Sequence, residues 1–289
     1  SELLMTDAEY DLLLDELKRR NSKHKHLSKI GAVVHTKDKV KLPCYMGSMD
    51  KIKPGTGNLD KWKKKYKGNY ILSDKLDGTS ALLVLRSNGK NMLFTRGNGI
   101  HGTNISSMLK GINGIPNIKK NLVIRGELLV SKKNYEKNKK KYCNSRAMIN
   151  GLVNKKSIKM LELKLIDFVA YELVSPWYNI SKQYTELSKL KFNTVVNKKV
   201  TTGLSAWKAE GQAQSLDNIT EKSLSEYLKE RKKNSDFDID GIIVVDDNNH
   251  VRNKSKNPKY GFAYKDILED QIAETEVLFV EWNISKDGY

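Results

Sequence analysis

The sequence predicts an α+β protein of mainly antiparallel sheets with helices between them, preceded by a small helical domain. Three observations predict it. Apolar runs bounded by Gly, Asn, Asp and Ser dominate from residue 70 onward, and they arrive as hairpins and single strands rather than in strict strand–helix–strand alternation. Amphipathic helical patterns fall between these runs. A helix signature with its own capping residues stands ahead of them all.

In chain order, Thr6 and Glu9 of "TDAE" form a capping box, after which Tyr10, Leu13, Leu14 and Leu17 recur at helical spacing as far as Arg20-Asn21. Residues 51–68 read as a loop and short helix. "SALLVLRSNGKNMLFTR" reads as a hairpin, with Asn88-Gly89 supplying the positive φ of a tight turn. Strands are expected at 121–130, 164–173, 238–247 and 260–265. Helices are expected at 181–191 and at 220–233, where Thr220 caps and Leu224, Tyr227 and Leu228 share one face. The final "TEVLFVEWNISKDGY" reads as a strand and a turn.

At 289 residues the chain is long enough for a sizeable core, and its 52 Lys+Arg against 34 Asp+Glu give a net charge of +18. That balance points to polyanionic partners, nucleic acid or nucleotides, with a lysine-heavy coding bias as the bland alternative. Two cysteines, Cys44 and Cys143, exclude a disulfide scaffold and a four-cysteine zinc site within this chain. No apolar stretch approaches the roughly 18 residues of a membrane span, and the N-terminus lacks a secretory signal. The expectation is an intracellular protein (cytoplasm, nucleoid, nucleus or viral factory), not a secreted one.

Lysine fills loops and polar faces throughout, except in "YILSDKLDGTSALLVL", where Lys75 stands inside an apolar strand signal. An amine becomes a nucleophile only when neutral, which burial or neighbouring cations promote. Asp77 is placed to orient that amine, and Gly78 admits close approach to the backbone. The alternative is a lysine at a hairpin edge beside a turn. "TRGNGIHGTN" is a glycine-punctuated loop with Arg96 at its mouth, suited to phosphate or ribose or simply to turning the chain. Glu127 in "IRGELLV" is either an acceptor for a ligand hydroxyl or a buried partner of Arg125 or another cation. Asp240 in "DIDGIIVV" suits a metal-proximal carboxylate or an ordinary turn, and Lys265 ends "NPKYGFAYK" as a ligand cation or a solvated strand end. The stretches "KWKKKYK" (61–67) and "SKKNYEKNKKKY" (131–142) interleave lysine with Trp62, Tyr66, Tyr135 and Tyr142, which reads as phosphate-backbone contact or as a solvated face.

Taken in order, K-x-D-G, R-G-x-G, R-G-E, N-S-R, D-G-I-I-V and A-Y-K resemble the covalent nucleotidyltransferases: DNA ligases, RNA ligases and mRNA capping enzymes. "TDAEYDLLLDEL", "LPCYMGSMDKI", "TRGNGIHGTNIS" and "NPKYGFAYK" are similar to stretches of NAD+-dependent DNA ligases. The resemblance implies a nucleotidyltransferase (adenylation) fold over 41–273, a small helical domain that binds nicotinamide mononucleotide (NMN) at 1–40, and the start of an oligonucleotide-binding fold at 274–289. It implies Lys75 as the adenylylated nucleophile and Asp7, Tyr10 and Asp11 on the NMN half of NAD+. Ser48 and Met49 would line the adenylate pocket, Asp77 would sit beside the lysine, and Arg96 and Glu127 would contact the ribose region. Arg146 would act near the phosphates or the NMN, Asp240 near a metal, and Lys265 on the α-phosphate. The implied cofactors are NAD+ and Mg2+ or Mn2+, with zinc only if the full-length protein carries a zinc finger. The implied partners are NAD+ and nicked double-stranded DNA, with no membrane and a monomeric state.

The chain departs from the family at several points. Ser73 stands where a glutamate reads adenine, Val245 where a lysine meets phosphate (Lys254 or Lys256 being the available substitutes), and Asn154 where a second arginine is expected. A tyrosine and a histidine normally ahead of the first aspartate would precede Ser1. These departures keep two rivals open: an ATP-dependent ligase or capping-type enzyme, and a non-catalytic DNA-binding relative.

Overall fold

The computed structural model describes residues 13, 16–22, 24, 39–200 and 219–266; residues 16–20 are helical. The capping box at Thr6 and the final strand after Asp266 lie outside the described residues, as do Asp7, Tyr10 and Asp11. From residue 39 the elements run β1 (Lys39–Lys41), β2 (Asp50–Ile52), α1 (Asn58–Lys65), β3 (Tyr70–Leu76), β4 (Thr79–Leu85), β5 (Met92–Thr95) and β6 (His101–Thr103). They continue with β7 (Leu122–Val130), α2 (Lys132–Glu136), α3 (Ser145–Val153), α4 (Met160–Leu163), β8 (Ile166–Ser175) and α5 (Ile180–Lys189). The last are β9 (Asn197–Val200), α6 (Glu221–Asn234), β10 (Ile239–Asp246) and β11 (Gly261–Tyr264).

Two sheets carry the architecture: a five-stranded one ordered β2-β11-β10-β3-β9 and a four-stranded one ordered β5-β4-β7-β8. Among the described residues only β2 and β11 pair in parallel in these sheets; every other strand pairing there is antiparallel. The α+β expectation therefore holds. The unbroken apolar run of β4 reflects burial on both faces. Ala81, Leu83 and Leu85 enter the large core under α3, while Leu82 and Val84 pack with Leu42, Met46 and Phe94. A second core fills the space between the five-stranded sheet and the helices α1 and α6, with Tyr70, Leu72, Leu224, Tyr227, Leu228 and Phe262 in it.

The β4–β5 turn differs from expectation. Positive φ occurs at Gly89 (77°) and not at Asn88, whose side chain instead accepts the Lys90 N–H at 3.1 Å. The connection spans Arg86 to Asn91 rather than two residues, so one glycine suffices to reverse it.

The interleaved aromatics are structural. Trp62 packs edge-on against Phe262 with centroids 4.8 Å apart and donates from Nε1 to the Lys259 carbonyl at 3.0 Å. Tyr135 packs on the large core and donates to the Cys143 carbonyl at 2.9 Å. Aromatic rings turned inward leave the lysines, not the rings, to face solvent.

Candidate active site

The period-two rule of a strand explains the lysine in an apolar run. On β3, Ile71, Ser73 and Lys75 face a cavity between the two sheets, while Tyr70 and Leu72 face α6. Asp74 shares that second face and is buried against Arg231 of α6 in a bidentate pair, both bonds 2.9 Å. The cavity holds about 370 Å³. Its lining includes the crossing from one sheet to the other, between β3 and β4. Gly78 makes that crossing: a Cβ there would stand 2.3 Å from the Leu128 carbonyl oxygen and 2.6 Å from Leu129 Cδ2. No other residue fits without moving β7.

Strand pairing assembles the reactive cluster. β10 pairs with β3 so that Gly241 faces Lys75, with an irregularity between Ile239 and Gly241 that turns Asp240 toward the lysine. Its Oδ2 accepts from Lys75 Nζ at 2.5 Å and from Lys265 Nζ, at the end of β11, at 2.9 Å. Burial pushes the Asp240 carboxyl up, but the two ammonium groups outweigh it and hold it below the ordinary range. The carboxylate on the Lys75 amine is thus Asp240. Asp77, expected to orient that amine, is held by Arg146 of α3 at 2.9 Å, because β3 ends at Leu76 and Asp77 lies in the crossing.

Glu127 of β7 faces Ser80 of β4 and accepts its hydroxyl at 3.0 Å. Burial raises its carboxyl to about 7, against the lowering pull of Ser80, Lys75, Arg96 and Arg146. It is not the partner of Arg125, which bonds Glu172 of β8 at 2.7 Å. Arg96 follows β5, its N–H bonded to the Ser80 carbonyl at 2.9 Å, and Gly97 beside it adopts φ 53° with no room for a Cβ under the His101 carbonyl. Ser48 and Met49 line the cavity, and the Ser48 N–H donates to Asn257 Oδ1 at 2.9 Å. Lys75, Asp77, Arg96, Glu127, Arg146, Ser48 and Met49 therefore share one cavity wall, with Lys265 joined to it through Asp240.

Sequence reasoning missed the far end of the cavity. Glu172 is clamped between Arg125 and Arg252, and Tyr45, Tyr171 and Tyr184 line the same cavity. The signal was present: Glu172 is a charge inside the apolar run of β8, which demands a buried partner. Of the two lysines considered as substitutes for the one absent at Val245, Lys256 lines the cavity together with Val245 itself. Asn154 ends α3 as its C-cap.

Cations gathered on an enclosed wall beside a glycine loop suit a phosphorylated ligand. The family model for the NAD-dependent DNA ligase adenylation domain matches residues 48–267. A DNA ligase of Acanthamoeba polyphaga mimivirus is 41% identical over 99% of this chain and 43% of its own length. The 205R protein of Invertebrate iridescent virus 6 is 32% identical over 99% of this chain and 44% of its own. A DNA ligase of Clostridioides difficile (strain 630) is 25% identical over 96% and 44%. The chain spans less than half the length of these curated relatives. With its lysine cavity built on the matched residues, this chain belongs to the NAD-dependent DNA ligase adenylation domain family.

Proposed function

We propose that this chain performs the self-adenylylation step of an NAD+-dependent DNA ligase. The observation that carries the reading is the convergence of Lys75, Asp240 and Lys265 from three neighbouring strands on a cavity also lined by Arg96 and Arg146. The Lys75 amine, oriented by Asp240, attacks the adenylyl phosphorus of NAD+ in its neutral form and releases an N–H proton to solvent as the bond forms. An N–P bond forms, the P–O bond to NMN breaks, and a lysyl–AMP phosphoramidate remains. Lys265, Arg96 and Arg146 stabilise the charge that builds on phosphorus. Ser48 and Met49 would border the adenylate, Asp77 would steady Arg146, and Glu127, with its carboxyl near neutrality, would bond the ribose hydroxyls. Asp7, Tyr10 and Asp11 would hold the NMN half.

Among the described residues no three His, Cys, Asp or Glu side chains converge on a metal-sized site. One ionised carboxylate, Asp240, fits a hydrated Mg2+ or Mn2+ held chiefly by the substrate's own phosphates, as such ions commonly are. The ion would supply charge neutralisation at those phosphates.

On this reading 1–40 is the NMN-binding helical domain, 41–273 the adenylation domain and 274–289 the start of an oligonucleotide-binding fold. In the whole protein AMP would pass to the 5′-phosphate of a nick in duplex DNA, and the 3′-hydroxyl would then displace it. We expect a monomer acting inside the cell; among the described residues no helix is long and apolar enough to cross a membrane.

The test is intact-mass measurement after incubation with NAD+ and Mg2+, with ATP and Mg2+ in parallel. NAD+ should add one AMP, and Lys75→Ala should abolish the gain. Ser73 and Val245 favour ATP as the second reading, and a gain from ATP alone would replace NAD+ by it.

A further inference from the structure

Two basic segments some ninety residues apart in sequence are bonded to each other close to residues that line the cavity. Residues 132–141 carry six lysines against one glutamate, and residues 229–236 carry three lysines and an arginine against one glutamate and one aspartate. The arginine, Arg231, is spent on Asp74. Two bonds join the segments: Lys132 N–H to the Asp236 carbonyl and Lys132 Nζ to the Lys232 carbonyl at the end of α6, both 2.8 Å. Lys137, Lys140, Lys141, Lys229 and Lys233 are exposed. Aromatic residues of the first segment turn into the core, so its outer side is almost wholly cationic.

The position of this face matters more than its charge. Asp236 anchors it, and Asp238, two residues on, accepts the Asp77 N–H at 2.9 Å, beside Lys75. Two residues span at most about 7 Å of extended chain. The Ser145 hydroxyl, at the start of α3, also bonds the Asp238 carboxylate, and Arg146 follows it into the cavity. The lysines of 61–67 lie on α1 and just after it, where Trp62 packs on Tyr70 at the start of β3. Tyr70 precedes Lys75 by five residues of strand, roughly 17 Å at about 3.3 Å per residue.

We infer that the joined face of α2, the 137–141 turn and the end of α6 docks the phosphate backbone of duplex DNA and delivers a neighbouring phosphate to the cavity mouth. The inference rests on the ligase reading above. Duplex DNA carries one charge per roughly 1.7 Å of axis, so a face of several lysines neutralises several phosphates without reading bases. Inward-turned aromatics leave nothing to stack on bases, which argues against single strands.

The test measures binding of a fluorescent nicked duplex to the full chain across a salt series. Lys137, Lys140 and Lys141→Gln should flatten the slope of log K against log[salt] by about two to three, and Lys229 and Lys233→Gln by about one to two, given a slope of about −0.9 per phosphate. Lys61, Lys64 and Lys65→Gln should leave it unchanged. An unchanged slope in either face variant, an equal loss in the α1 variant, or stronger binding of an RNA duplex than of DNA through these lysines overturns the inference. Both face variants should still gain AMP from NAD+. If the unaltered chain gains AMP from neither NAD+ nor ATP, the ligase reading fails while the salt slopes still report on the face.

Discussion

Lys75 and Lys265 share one oxygen of Asp240, and that single carboxylate organises the site. Asp240→Asn should slow AMP incorporation from NAD+ by roughly 10²-fold, since it removes the carboxylate that orients Lys75 and anchors Lys265; rapid-quench mass measurement reads the rate. Glu127 makes a second residue-scale prediction. Its folded carboxyl titrates near 7 against an ordinary value of 4.5, so the folded state binds more protons over that window. Stability is therefore complete below pH 4.5 and falls as pH rises through 7, by on the order of 3 kcal/mol at full ionisation. Glu127→Gln should flatten the melting temperature over pH 5–7; an unaltered slope in the variant would exclude this residue as the source. The lysine, the glutamate and the aspartate were each visible as charges in apolar runs. Their partners were not, because Asp77 and Asp240 are equally good neighbours of Lys75 until β10 is laid beside β3.

At the scale of elements, the crossing at Gly78 and the pair between β3 and α6 are the sensitive joints. Gly78→Ala drives a methyl into the β7 backbone at 2.3 Å and should cost roughly 2–4 kcal/mol, read by chemical denaturation. Arg231→Ala leaves Asp74, 4% exposed, as an unpaired buried charge and should cost roughly 3–5 kcal/mol. Asp74→Leu combined with Arg231→Met should recover most of that loss, which a merely additive pair would not. The longer strands and the helices α1, α5 and α6 were legible, whereas the short strands β1, β2, β6 and β9 and the helices α2, α3 and α4 were not. Thr220 caps α6 by accepting the Ser223 N–H, and Leu224, Tyr227 and Leu228 are buried as their spacing requires. The β4–β5 turn was legible only in part, because Asn-Gly fits both a two-residue reversal and a longer loop with one left-handed glycine.

For the whole molecule, Glu172 fastens the two sheets across the cavity. It lies on β8 of the four-stranded sheet, and Arg252 reaches it from the loop between β10 and β11 of the five-stranded sheet. Burial pushes the Glu172 carboxyl up, but Arg125 and Arg252 overcome it and hold it below the ordinary range. That contribution is present above about pH 4.5 and is lost as pH falls below it. Arg252→Ala should loosen the clamp and raise hydrogen exchange in β10 and β11 well before global unfolding, while β4 and β7 stay protected. Uniform exchange across both sheets would show that the clamp does not set their docking.

The sequence by itself determined the order of the longer strands and of α1, α5 and α6, the motif lysine and its glycine, and the anionic character of the ligand, because these are written in local period, volume and charge. Which carboxylate meets the amine, what binds Glu127 and Glu172, and where two lysine segments join were decided only by tertiary pairing. Contacts between strands and segments distant in sequence depend on register, and register is a property of the assembled sheets.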